Sequence, residues 1–294
     1  VALLNTPTPF PAPIWVTARF LAAEPHPVPE ARIFGYLEPA SVGGAERSSS
    51  LVRHSLNTLR DLGLAARDAN DERWSLCAGL KELVPDNYRL FQRRLHDAVF
   101  GIHDGEDLGA APDTAQDLRR ALCWFMTKDP YTEAFNWSIA EQAQAADSPD
   151  GELILVNSTR WPSFTAWGSA MGLLAAAPHV AEQYVPDCTQ AVRQVVEDHW
   201  EVDATLDARS VLRLLRSHLP GLPGGLTAES IGFKHAPEHG AGPALSFALL
   251  RGEFEGWLRL SSDADAQNIV TLSAPAFTSP RTCSSITRLE PVDD

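Results

Sequence analysis

Residues 46–76, ERSSSLVRHSLNTLRDLGLAARDANDERWSL, hold the pattern that decides the fold. Val52, Ser55, Leu56, Leu59 and Leu62 fall on one side of a helix of about 3.6 residues per turn, and Ser50, Arg53, His54, Asn57 and Asp61 fall on the other. Gly63 ends that helix, since glycine alone takes a positive φ without strain. A short apolar strand (64–66), a polar turn (67–72) and a second strand (73–76) follow, long enough to pair as a hairpin. Working outward, residues 13–22 and 28–37 read as two preceding amphipathic helices, joined to the long one by the turn at 38–44. Three helices, a glycine and a hairpin make a winged helix-turn-helix, predicted here over residues 11–77.

Composition limits what such a unit can do. The chain has 294 residues and a formal net charge of −14. Residues 1–100 hold 11 basic and 11 acidic side chains, residues 101–200 hold 5 and 15, and residues 201–294 hold 8 and 12. The acidity therefore avoids the first helices, so a local face can still bind phosphate while the whole chain cannot coat DNA. No apolar run reaches the length of about eighteen residues that a membrane span needs. The opening VALLNTPTPFPAP lacks the basic and apolar blocks of a secretory signal and reads as an extended arm across a neighbouring surface. Four scattered cysteines without metal-ligand spacing read as cytosolic thiols, and the expected location is the cytoplasm.

Beyond the first unit, residues 85–101, 114–126, 131–147, 157–177 and 188–200 have helical character, with no strand alternation between 85 and 200. They are expected to form an all-α bundle. The last third changes character. Residues 207–219 form a capped amphipathic helix, and residues 243–255, Gly256, and strands at 257–260 and 268–272 repeat the order helix, glycine, strand, turn, strand. That order predicts a second winged helix, with the 274–294 tail as an edge strand and flexible end. The expected fold class is mainly α with minor β: a winged helix and arm over 1–84, an acidic α-helical domain over 85–203, and a second winged-helix-like domain over 204–294.

Enzyme signatures are absent: no phosphate-binding glycine loop, no nucleophile elbow and no H-E-x-x-H occurs. His235 and His239 are four apart, but Pro237 opposes the helix that would put them on one face. The acidic run 103–107 lacks calcium-loop spacing. The aromatic set Trp124, Phe125, Trp137, Trp161, Phe164 and Trp167 has the helical spacing of core residues more than that of a base-stacking platform. No catalytic residue, cofactor or metal is expected. The candidate site is instead a DNA-binding face: Arg47, Ser48, Ser49, Ser50, Arg53, His54 and Asn57 on the long helix, with Arg67 and Arg73 on the hairpin. Short donors and long cations near a helix start are the residues that contact phosphates and base edges in the major groove. The competing reading is a solvated face, or one that binds protein.

LLNTPTPFPAPIWVTARFLA, LEPASVGG and LRDLGLAARD together resemble the DpdG family, most clearly over the first 80 residues. The resemblance implies an accessory protein of bacterial gene clusters that place 7-deazaguanine derivatives in DNA and restrict foreign DNA. It implies protein partners such as an ATPase, a helicase or a nuclease, and brings no catalytic residues. A more distant likeness is to the acidic tandem winged-helix subunits of condensin-like ATPases, which act through protein contacts. Duplex DNA, such partner proteins or a homodimer are the partners these readings allow.

Overall fold

The computed structural model describes residues 2–5, 10–39, 50–68, 70–81, 87–103, 107–108, 115–147, 153–233, 239–263, 265–266, 268–273 and 281–290. In chain order they begin with α1 (Pro11–Ala23), β1 (Val28–Pro29), α2 (Glu30–Leu37), α3 (Leu51–Asp61), β2 (Ala65–Arg67) and β3 (Arg73–Leu76). Next come α4 (Ala78–Lys81), α5 (Tyr88–Phe100), β4 (Ile102–His103), β5 (Asp107–Leu108), α6 (Gln116–Phe125), α7 (Trp137–Asp147) and α8 (Trp161–Ala170). They are followed by β6 (Leu174–Ala176), β7 (Tyr184–Pro186), α9 (Thr189–His199), β8 (Thr205–Asp207), α10 (Ala208–His218) and α11 (Leu226–Ile231). The chain closes with α12 (Pro243–Phe254), β9 (Leu258–Ser261), β10 (Val270–Leu272), β11 (Arg281–Cys283) and β12 (Ser285–Arg288). The protein is mainly helical, with small antiparallel sheets. No described helix is long and apolar enough to cross a membrane.

Two compact units form: Val1–Leu118 with Asn157–Met171, and Arg119–Val156 with Gly172–Asp294. In the first, α3 packs on α1 through Val52, Leu56 and Leu59, which are buried as the helical spacing requires. The chain then turns at Gly63 (φ +71°), where Leu64 N–H bonds Leu59 O at 2.8 Å and Gly63 N–H bonds Arg60 O at 2.9 Å. Those paired bonds close the helix's last carbonyls and aim the chain into β2. β2 and β3 pair antiparallel, and β1 adds on the far side of β3, giving the order β1-β3-β2. α8 lies against α1, and its Trp161, Phe164 and Trp167 are buried. Leu3 and Leu4 are buried too, their amides donating to the Asp117 carboxylate at 3.1 and 2.9 Å. The start of the expected arm is thus anchored in its own unit, because two leucines cannot be left in water cheaply.

The second unit repeats this order of elements. α9, β8, α10, α12, β9 and β12 follow one another as α1, β1, α2, α3, β2 and β3 do, and the sheet order β8-β12-β9 matches β1-β3-β2. In both, the first and third helices of the set pack together. α11 is inserted between α10 and α12, and the β10–β11 hairpin between β9 and β12.

Four expectations need correction. The strands at 257–260 and 268–272 do not pair with each other: β9 pairs with β12, and β10 with β11. β12 is a central strand of the tail, not an edge, held by buried Ile286 between Leu206 and Leu260. The region 85–200 is not all α, since β4–β5 and β6–β7 form short hairpins. Strands of two or three residues are too short to show alternation. The helix expected over 157–177 ends at Ala170; Gly172 (φ +69°) redirects the chain into β6.

Candidate nucleic-acid interface

Two arginines from separate elements, Arg53 of α3 and Arg67 of β2, converge on Glu30 because of the β1–β3 pairing. Val28 lies opposite Trp74, so Glu30, the first residue of α2, arrives beside that indole. Its carboxylate accepts from Trp74 Nε1 at 3.2 Å and from Arg53 Nη2 at 2.8 Å, and lies 3.7 Å from Arg67 Nε. Arg53 also stacks over the Phe34 ring, 5.1 Å from its centroid. Arg67 pairs with Glu72 at 2.8 Å. Arg73 pairs with Asp71 at 2.7 Å and donates to Pro27 O at 3.2 Å. The side chains of Arg53 and Arg67 stay 36% and 34% exposed, so their outer edges reach solvent.

Each of these guanidiniums therefore already holds a carboxylate, which leaves the face close to neutral. Ion pairs this exposed are worth about 0–1 kcal/mol. A phosphate can exchange with Glu72 or Asp71 at little cost, whereas Glu30, only 14% exposed and bonded twice, stays in place. The face is preorganised, but its attraction for a polyanion is weak.

The other predicted residues divide. Asn57 is half-buried, and its side chain makes no hydrogen bond among the described residues. Ser50 does not face outward: it is 3% exposed, its hydroxyl donates to the Glu38 carboxylate, and it accepts from Arg53 N–H at 3.1 Å. It is the N-cap of α3, and a cap must turn its oxygen back onto the first turn. His54 is half-buried, with Nε2 inside and without a partner among the described residues. Arg47, Ser48 and Ser49 lie outside the described residues. The sequence reading missed Glu30, because an acid in a helix's first turn is expected from the dipole alone.

Elsewhere, no group of three or more His, Cys, Asp or Glu among the described residues is placed to hold a metal ion. His235 lies outside the described residues, and exposed His239 faces Arg209 at 3.4 Å. Trp124, Phe125, Trp161, Phe164 and Trp167 are buried, and Trp137 is half-buried. Burial pushes the Cys123 thiol up to about 12, which keeps it protonated near neutral pH.

Comparison with curated proteins and with solved structures gives no match. A family model described as DpdG-like matches residues 1–266, well past the first 80 residues that carry the visible resemblance and into both units. The chain belongs to the DpdG-like family, and with that family it takes its place in the Dpd modification system.

Proposed function

We propose that the protein is a non-enzymatic accessory subunit of that bacterial anti-phage system, one that meets duplex DNA through its N-terminal unit and holds a partner through its acidic remainder. The observation that carries the DNA contact is the meeting of Arg53 from α3 and Arg67 from the hairpin at Glu30. The order α1-β1-α2-α3-β2-β3 with sheet β1-β3-β2 supports reading this part as a winged helix. In such a unit, α3 enters the major groove and the hairpin touches the neighbouring backbone. Asn57 then supplies the free hydrogen-bonding side chain that faces base edges.

Partner binding is supported by the second unit. Phe254, at the end of α12, is 91% exposed, and Phe247 and Leu250 are half-exposed on the same side at helical spacing. α12 stands where α3 stands in the first copy, yet it offers rings where α3 offers cations. A cytoplasmic ATPase, helicase or nuclease of the system is the class of partner this suits.

Salt-dependent binding to labelled duplex DNA tests the DNA contact. Arg53→Ala with Arg67→Ala weakens binding and lowers the slope of log affinity against log salt by about two. A second reading, an interaction subunit or homodimer without DNA contact, draws on the carboxylates that already occupy these arginines. Undetectable affinity at low salt favours it.

A further inference from the structure

α10 carries arginines that hydrogen-bond to no carboxylate among the described residues. Arg209, Arg213 and Arg216 stand at i, i+4 and i+7, which puts them within one narrow sector of the helix. Arg209 Nη2 lies 3.4 Å from His239 Nε2, and its Nε is buried without a hydrogen-bond partner among the described residues. Arg213 Nη2 donates to Ser210 Oγ at 2.9 Å and is exposed. Arg216 donates to Pro223 O at 2.9 Å and Gly240 O at 2.7 Å. Its guanidinium fits because residue 224 is a glycine: a Cβ there would fall 2.8 Å from Arg216 Cζ.

Every acceptor in that set is neutral. Asp207 is turned onto Ser210 N–H at 3.0 Å, and Glu229 is near enough to act on Arg216, but among the described residues neither forms an ion pair with the three. Within the same unit Arg193, Arg251 and Arg281 hold carboxylates, while Arg288, like Arg216, bonds main-chain carbonyls. Residues 201–294 carry 12 acids against 8 bases, so bare arginines are not forced by composition. Arginine is charged at neutral pH, and a row of cations hydrogen-bonded only to neutral groups can still take an external anion.

We infer that the Arg209–Arg213–Arg216 face of α10 is a binding site for the phosphate backbone of nucleic acid. The three Cα positions span about 10 Å of helix, close to three nucleotide steps of roughly 3.4 Å along one strand. Within the sector there is no ring or aliphatic anchor of the kind a protein hot spot needs, which favours nucleic acid over an acidic peptide. The site goes beyond the α3 contact and is independent of it.

The test uses the full chain and a labelled duplex of about twenty base pairs, with anisotropy followed across salt from about 50 to 200 mM. Arg209→Ala with Arg213→Ala lowers affinity about tenfold at the lowest salt and reduces the salt slope by about two, and Arg209→Lys with Arg213→Lys restores the slope. Arg53→Ala with Arg67→Ala is run beside it, so that loss in one pair alone tells which face has failed. Circular dichroism checks folding, and Arg213→Ala alone, at an exposed position, lowers the slope by about one if the double variant unfolds. An unchanged slope in a folded variant overturns the inference. So does displacement by polyglutamate that depends on these arginines while DNA binding does not, which would make the site one for an acidic protein.

Discussion

Glu30 decides how the N-terminal face behaves, because one carboxylate holds Arg53 and Trp74 and sits within reach of Arg67. Replacing it by glutamine removes the charge while keeping an acceptor. Glu30→Gln is expected to lower stability by about 1–2 kcal/mol, the cost of weakening charge-assisted bonds, and to raise affinity for duplex DNA. Denaturant unfolding and anisotropy read the two effects, and a drop in both would mean the face is purely structural. Asp207 makes a pH-dependent contribution. Hydrogen bonds from Ser210, side chain first and then backbone, hold its carboxyl below the ordinary aspartate value. A lowered folded value means that its contribution is complete above the ordinary value near 4 and is lost as pH falls through the lowered one. Melting temperature should therefore fall with acid more steeply in the natural protein than in Asp207→Asn. Single residues were legible unevenly. Helical spacing placed Val52, Leu56 and Leu59 correctly, but it put Ser50 outside, because a cap's direction comes from the turn before the helix. Spacing also reveals the arginine line on α10, yet not the neutral acceptors at Pro223 and Gly240 that hold Arg216, since those come from distant segments.

The α3–hairpin junction was readable because its cause is local. Gly63 adopts φ +71° and a Cβ there would meet nothing within 4 Å, so the cost of a side chain is conformational alone. Gly63→Ala is expected to destabilise the protein by about 1–2 kcal/mol, measured by denaturant unfolding. A neutral result would mean that the turn relaxes into another closure. The partner of β9 was not readable for the opposite reason. β9 and β12 are separated by the β10–β11 hairpin, and the Ser- and Thr-rich run that forms β12 looks like a tail until Ile286 is seen buried between two leucines. Pairing across such an insertion is decided by packing, which local pattern does not record.

The two units interleave along the chain: α8 belongs with α1, although residues 119–156 between them belong to the other unit. A fragment ending at residue 118 would lack Trp161, Phe164 and Trp167. Losing even one such buried ring costs about 3–5 kcal/mol, a large share of a typical total of about 5–15. The 1–118 fragment is thus expected to show no cooperative melting, and a peptide covering 157–171 to restore it when added. Cooperative melting of the fragment alone would mean that α8 is an accessory to its unit. Sequence pattern could not show this interleaving, because no change in composition marks the chain's crossings.

For inheritance, the same interleaving means that no single crossover in the gene can hand a descendant one intact unit and leave the other behind. Each recombinant would have to carry three coordinated breakpoints, one after residue 118 and one on either side of the codons for α8. The two units are therefore expected to travel between genomes as one piece.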